Sequence, residues 1–545
     1  MKKLCIVLLA LLLCTTMVIS CNGETPTSSP APSQTTTTMP APGTASTPKT
    51  TISTSPTSSP TSTTATTKKY GGTFRYIDPR SPSSTIGWLA EPGPPLGLYA
   101  CMMLEGFVDV DYQGITTPKL ATDWSIAPDL KSITFTIRKG VIFHDGSDLS
   151  GAVAKWNLDQ FIDAKLASVK DIDSVELTDD YEVKLNLKQY SNTLLSTLSS
   201  IYMISKTAFD KVGKEGLRWD PVGTGPFKFV SYERDVVLKV AKFSDYWQKG
   251  KPYLDAVEAL FIIDPLTASA AFEAGEADAV GGDVAKVLYD LKQKGNNILS
   301  SYTGAVTLIP DSKNPDSILA NPKVRQAIDY AIDRDAIVKT RGFGLWTTTY
   351  QFAPPDASAY IKDLPERKYD PEKAKQLLSE AGYPEGFKTK IIGDSSTTDK
   401  EATVAVQGFL SKVGIDAQLD WVDFAGFVQY VMGGWKDAML SCANGFSAAN
   451  INQGIDFVWS QNAAFFPSVL KTDELQTLLN QSMSSKDYDP ALVQKVLRYM
   501  YDEAMFLPLY CISRGHALKP YVHDAGFYGM QSWAAWQPAE CWMDK

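Results

Sequence analysis

The sequence predicts a mixed α/β protein, and two observations carry that expectation. Helical and strand periodicities alternate from about residue 70 to the end, and that stretch is long enough for two or three domains with sizeable cores. Among the helices, Asn321-Pro322 is a cap and first-turn pair, followed by Val324, Ile328, Ala331 and Ile332 on one face. Asp370-Pro371 repeats the device. There Ala374, Leu377, Leu378 and Ala381 form the stripe and Gly382 supplies a left-handed stop. A third helix is expected over about 399–413, after which Gly414 turns the chain into the alternating strand Ile415, Ala417, Leu419, Trp421. Earlier, Ile133, Phe135 and Ile137 alternate in the same way.

The chain before this body reads differently. Lys2 and Lys3 precede an apolar run from Leu4 to Ile19, broken only by Thr15 and Thr16, which has the form of a signal peptide over residues 1–20. It is short for a membrane-spanning helix, which needs about 20 apolar residues. Val18-Ile19-Ser20 before Cys21 resembles the lipobox of bacterial lipoproteins, so Cys21 is expected to carry the lipid that holds the protein to the membrane. Residues 24–67 are almost entirely Ser, Thr, Pro and Ala and cannot bury a core. Residues 21–69 are therefore read as a lipidated cysteine and a disordered tether, with a reach on the order of 130 Å at about 3.1 Å per residue.

Without the signal peptide the chain carries 50 basic and 61 acidic residues, a net charge of −11, and has no basic cluster that would follow a phosphate backbone. Nucleic acid is not an expected partner. Cys101, Cys442, Cys511 and Cys541 are the thiols left for pairing. Export permits disulfides, and Cys511 with Cys541 is the preferred pair because it closes a short loop, with buried thiols as the alternative.

Several local blocks say more. Leu120-Ala-Thr-Asp-Trp124, Pro128-Asp129 and the run from Ile133 through Phe143-His-Asp-Gly146 come first. They are followed by Pro221-Val-Gly-Thr-Gly-Pro-Phe-Lys-Phe229, Tyr246-Trp247 with Gly250-Lys-Pro-Tyr-Leu-Asp255, and Phe272-Glu-Ala-Gly-Glu-Ala-Asp278. Asn321-Pro-Lys-Val-Arg-Gln-Ala-Ile328, Tyr369-Asp-Pro-Glu-Lys-Ala-Lys375 and Glu380-Ala-Gly-Tyr-Pro384 complete the series. In this order, across nearly all of the body, they resemble the extracellular solute-binding proteins of family 5, the oligopeptide, dipeptide and nickel group that serves ABC importers.

The resemblance implies a two-lobed clamp of the type II periplasmic-binding-protein kind with an extra subdomain. Residues 70–116, 221–303 and 507–545 would form the first lobe, 117–220 the subdomain and 304–506 the second lobe. It implies capture of a small polar solute, peptide-like, a sugar or similar, by lobe closure and delivery to an ABC permease. The expected protein is a monomer on the outer face of the cytoplasmic membrane. Two other functions fit the sequence: a sensory or chemotactic binding protein on the same fold, and a cell-surface adhesin using the tether. By family position the cleft is expected to use Trp88, Trp346, Asn444, Phe446 and Asn450, with Arg514 facing a ligand carboxylate.

Peptide-binding members carry an aspartate in the stretch that corresponds to Ser441-Cys-Ala-Asn-Gly-Phe446, where it meets the peptide ammonium. Here no acidic residue occurs between Asp437 and Asp456, which argues against free peptides unless Asp437 itself takes that place. His144, His516 and His523 are the only histidines and show no metal spacing. No nucleophile elbow, HExxH or P-loop pattern occurs. Neither cofactor nor catalytic residue is expected.

Overall fold

The computed structural model describes residues 67–545, apart from 81, 83–84, 92–96, 112–114, 283, 446–450, 528–535 and 537. The expected signal peptide, Cys21 and nearly all of the tether lie outside these residues, as do Phe446 and Asn450. No described helix is long and apolar enough to cross a membrane.

The body opens on β1 (Thr73–Asp78), whose alternation places Phe74 and Tyr76 in one core and Ile77 in another. A short ribbon follows, β2 (Val108–Val110) with β3 (Thr116–Pro118). Next, β4 (Ala121–Ile126), β5 (Ser132–Ile137), β6 (Ile172–Asp179) and β7 (Glu182–Leu187) form a separate antiparallel sheet in the order β4-β5-β7-β6. Ile133, Phe135 and Ile137 all point into its core, as their spacing predicts. The helix Gly151–Asp163, capped by the Ser150 side chain, packs on this sheet.

All the larger strands that follow belong to one 11-stranded sheet. They are β8 (Phe227–Glu233), β9 (Val237–Lys242), β10 (Ala256–Phe261), β11 (Ala279–Gly282), β12 (Asn297–Pro310), β13 (Thr347–Thr348), β14 (Phe387–Asp394), β15 (Ile415–Val422), β16 (Ala438–Gly445) and β17 (Leu507–Leu518). The order is β15-β14-β16-β12-β17-β11-β1-β10-β9-β8, with β13 added beside β17. Each half of the sheet contains the same device, three parallel strands with the earliest in the middle. One set is β10-β1-β11, the other β15-β14-β16. Helical crossovers make this pairing possible, and among the predicted helices Lys400–Ser411 supplies the one from β14 to β15. Pro322–Ala331 starts at Asn321, Pro371–Glu380 at Asp370 and Lys400–Ser411 at Asp399, each cap accepting a backbone N–H. Gly382 and Gly414 take the left-handed conformation (φ +92° and +84°) that ends their helices without a Cβ clash.

The sequence blocks that recur along the body prove to be internal fastenings. His144 donates its backbone N–H to the Gly223 carbonyl (2.8 Å), and its Nε2 meets the Gly225 carbonyl at 2.9 Å. Burial pushes the His144 imidazole down to about 4, so at neutral pH it is uncharged. Glu105 is buried and its carboxylate accepts from Tyr246 Oη (2.8 Å), Trp247 Nε1 (2.8 Å) and Thr224 Oγ1 (3.0 Å). Asp278 accepts from the Arg75 backbone N–H (2.8 Å) and Tyr521 Oη (2.9 Å) and pairs with Lys545, tying β1 to the last residues of the chain.

Two groups of cores flank the sheet. One is built from residues before about 300 together with 517–543, the other from residues 305–512. β12 and β17 run through both, since Ile298 and Ala517 pack with the first and Ala305, Ile309 and Cys511 with the second. The extra sheet meets the second group through Asn192, in the loop after β7, which contacts the end of the helix Asp473–Ser484.

The expected Cys511–Cys541 disulfide does not form. All four cysteines are buried thiols, and Cys511 sits in a core of the second group while Cys541 sits in one of the first. Closeness in sequence was a poor guide because β17 carries the chain out of one core group and into the other between them.

Candidate functional site

In sheets of this kind ligands bind beyond the carboxyl ends of parallel strands, where strand order reverses. The first set ends at Asp78, Phe261 and Gly282, the second at Asp394, Val422 and Gly445. β12 and β17 join the two sets, and their shared register fixes what lies between them. Gly282 pairs with Gly515, Ser301 with Arg514, Tyr302 with Ser513, and Gly304 with both Ile512 and Gly445. A register shift falls between Tyr302 and Gly304, so the ladder bends where the strands pass from one half to the other.

Three of the expected site residues lie on or beside these strands. Arg514 lies on β17, half-buried, two residues from the shift in the ladder. Asn444 lies on β16 with its backbone paired to Ala305, which pairs in turn with Cys511, itself paired with Thr347 next to Trp346. Asn444 and the Trp346 loop thus occupy one row across four strands, on the order of 14 Å apart at the usual strand spacing.

The loop that presents Trp346 bridges the two core groups. Leu345 packs with the first and Trp346 with the second, the indole stacked on Tyr510 with ring centres 4.6 Å apart and planes at 5°. Phe343 takes a left-handed conformation (φ +48°), which costs a bulky residue energy, and its ring lies 5.8 Å from Tyr289. A Cβ on Gly342 would lie 2.7 Å from that of Trp346, so the tight turn requires glycine. Trp346 Nε1 is buried without a hydrogen-bond partner.

Trp88 lies elsewhere. It is 4% exposed, stacked on Phe209 (5.1 Å) and edge-on to Trp156 (6.3 Å), in the core shared with the extra sheet. The expected contacts Phe446 and Asn450 lie outside the described residues, and Asn444 is placed by its backbone.

Asp437 stands at the opposite end of β16 from Asn444. Its backbone N–H is bound to Asp311 Oδ2 (3.0 Å), and seven strand positions, roughly 23 Å, separate it from Asn444. It is therefore placed apart from the junction end of β16. The nearest later acid, Asp456, sits in the helix Ile451–Trp459, where burial raises its pKa.

Sequence reasoning passed over two groups. Tyr302, half-buried at the junction, is hydrogen-bonded to Thr347, and burial raises its phenol pKa, so it remains a donor. At the end of β1, buried Asp78 accepts from Tyr99 Oη (2.6 Å), the Arg80 backbone N–H (3.0 Å) and Arg80 Nε (3.2 Å). The available signal was an aspartate closing a β pattern just before Pro79. Among the described residues no group of three or more His, Cys, Asp or Glu could hold a metal ion. An apolar gap lined by Phe107, Leu120 and Ile137 lies inside the extra sheet's core and offers a polar solute nothing.

Comparison with known proteins agrees with this architecture. Residues 116–466 match the profile of bacterial extracellular solute-binding proteins, family 5. The glutathione-binding protein GsiB of Pectobacterium atrosepticum is 33% identical over 365 residues, 65% of this chain and 68% of its own length. Among solved structures, AgaA from A. tumefaciens R10, in complex with agropinic acid, is 26% identical with a TM-score of 0.69, covering 87% of this chain and 99% of its own. HbpA2 from Haemophilus parasuis shares the fold with a TM-score of 0.77 at 21% identity, covering 87% of this chain and 100% of its own.

Proposed function

The chain belongs to the extracellular solute-binding proteins of family 5, which serve ABC importers and are not enzymes, and we propose that it is a lipid-anchored member capturing a small polar solute. The observation that supports this most is the junction itself. Among the described residues β12, β17 and the Trp346 loop join the two parallel-strand sets there, and Asn444, Trp346 and Arg514 lie on or beside these strands. The lobes are taken as 70–116, 221–303 and 507–545 against 304–506, with 117–220 as the added subdomain. A solute that touches both lobes only when they close shifts the balance toward the closed form by its extra contacts there. The membrane permease then meets a closed, loaded partner, and lipid on Cys21 keeps the monomeric carrier beside it, on the outer face of the cytoplasmic membrane.

Glutathione is the first solute to try, because it is what the GsiB relatives are named for. Asn444, Trp346 and Arg514 are the contacts proposed from this chain, with Phe446 and Asn450 continuing the same segment and Trp88 kept only as a core support. The test is a thermal-shift screen of glutathione, short peptides, oligosaccharides and metal chelates, followed by small-angle scattering. A ligand at about 100 times its dissociation constant stabilises by roughly 2.7 kcal/mol. A saturable shift with compaction supports the reading; saturable binding without compaction overturns closure.

A further inference from the structure

The extra sheet packs as one body with the first half of the large sheet. Tyr190, Leu194 and Leu198, in the segment after β7, share a core with Phe74 and Tyr76 of β1. On the other side, Ile451 and Ile455 of the helix Ile451–Trp459 and Leu475 and Leu479 of the helix Asp473–Ser484 share a core with Ala305 and Cys511. Close packing makes each core a unit that moves as a whole. β12, β17 and the Trp346 loop run between the two units, and a second connection lies off that crossing.

That second connection is polar. Asn192 donates its side-chain amide to the Ser482 carbonyl (2.7 Å) and to Ser485 Oγ (2.9 Å), and its backbone N–H to the Met483 carbonyl (2.9 Å). Its Oδ1 accepts from Asn452 Nδ2 (3.2 Å), Thr197 Oγ1 accepts from Gln453 Nε2 (3.4 Å), and Tyr190 Oη donates to the Lys486 carbonyl. The charges of Lys170 and Asp171, just before β6, act on the Asp456 carboxylate, whose pKa is raised first by burial. Hydrogen bonds of this kind are exchanged for water at modest net cost, whereas parting two halves of an apolar core exposes it. The contact can therefore be made and unmade while both cores stay closed.

The loops at the strand ends are engaged within their own bodies. After β1, Asp78 accepts from the Arg80 backbone N–H (3.0 Å) and Tyr99 Oη (2.6 Å), and the Ile86 and Gly87 N–H groups donate to the Arg218 carbonyl (3.1 and 3.0 Å). After β14, Asp394 accepts from the Ser396 N–H (2.9 Å) and Thr397 Oγ1 (2.7 Å), and Asp399 pairs with Arg341 (2.9 Å). A solute that draws these two sets of loops together turns the bodies about β12 and β17, and groups that lie off the crossing are displaced by the turn. Asn192 and Ser482 are such groups.

We propose that the contact of Tyr190, Asn192 and Thr197 with Asn452, Gln453 and residues 482–487 is an opening latch, made in the empty protein and broken when a solute closes the lobes. This rests on the solute-binding reading above and deepens it by naming what the solute must displace. The latch lowers the apparent affinity in proportion to the share of protein it holds open.

The test combines hydrogen exchange and calorimetry on the detergent-solubilised mature protein, with glutathione, the dipeptide Ala-Glu and sucrose as probes. At least one probe should bind saturably, and its addition should speed exchange of the Asn192 amide while slowing that of the Trp346 loop. Asn192→Ala and Tyr190→Phe should each bind that probe more tightly, by about 2-fold to 10-fold, the range that corresponds to one hydrogen bond exchanged for water. Tyr190→Phe keeps the ring in its core, so the comparison stands even where Asn192→Ala fails to fold. Saturable binding that slows exchange at Asn192 or leaves it unchanged overturns the latch and leaves solute capture intact. Equal or weaker binding by a folded Tyr190→Phe protein overturns it in the same way. No saturable binding of any of the three probes, and no compaction in scattering, defeats the solute-capture reading and this proposal together.

Discussion

Asn192 donates its side-chain amide to the Ser482 carbonyl at 2.7 Å, and its backbone N–H takes the Met483 carbonyl at 2.9 Å. The last carbonyls of a helix have no partner within it. Asn192, from the loop after β7, thus caps the helix Asp473–Ser484 from outside, and Asn452 donates back to its Oδ1 at 3.2 Å. This contact joins the extra sheet to the second group of cores at a distance along the chain from β12 and β17.

Asn192→Ala should therefore cost about 1–2 kcal/mol in urea unfolding, the scale of a lost buried hydrogen bond. Hydrogen exchange should quicken at the end of the helix Asp473–Ser484 and remain as before in β4–β7. Unchanged exchange at that helix end would mean that the contact contributes nothing to holding the subdomain.

Trp346 and Asn444 are predicted to separate affinity from stability. Trp346→Ala removes a ring stacked on Tyr510 and should reduce both, whereas Trp346→Phe keeps an aromatic face and most of the stability. Asn444→Ala should lower the affinity of a confirmed solute about 10-fold, equivalent to roughly 1.4 kcal/mol, with little change in unfolding. Full affinity in both alanine variants, measured by calorimetry, would place the cleft elsewhere.

The His144 contacts predict an acid limb of stability. Its imidazole is harder to protonate in the fold, at about 4, than in an unfolded chain, near 6.5. The unfolded chain then binds the extra proton between these values, so stability falls as pH drops from about 6.5 to about 4 and is unaffected by this group above that range. The loss should approach roughly 3 kcal/mol. Urea unfolding from pH 7 to pH 4 should show a shallower decline for His144→Asn, and an NMR titration should find the His144 ring neutral at pH 5.

What was legible beforehand follows from how far each feature depends on residues distant in sequence. The helix between Asp370 and Gly382 was readable because its cap, stripe and stop are all local, and the β5 and β15 alternations were readable for the same reason. The family blocks marked the family, yet Thr224, Tyr246 and Trp247 bind Glu105, His144 binds the Gly225 carbonyl and Asp278 binds the Arg75 backbone and Tyr521, which makes them scaffold and leaves the solute unnamed. Site residues depend on strand neighbours. Asn444 and Thr347, the neighbour of Trp346, share a row only because β12 and β17 insert between β16 and β13, which no local pattern discloses. Trp88 shows the opposite error, an aromatic chosen by position that proves to be packed against Phe209 and Trp156.

The proposed anchor predicts where capture would occur. Cys21 is the residue whose thiol would carry the lipid, and a single acyl chain gives only marginal membrane binding, so stable attachment requires at least two. Cys21→Ser should move the protein from the membrane pellet to the soluble fraction after high-salt washing, with unchanged solute affinity, since every proposed contact lies after Tyr70. Uptake by whole cells should fall at low solute concentration, where a tethered carrier keeps its cargo beside the permease and a released one loses it to the medium. If Cys21→Ser pellets with membranes as the unaltered protein does, the attachment is not through this cysteine.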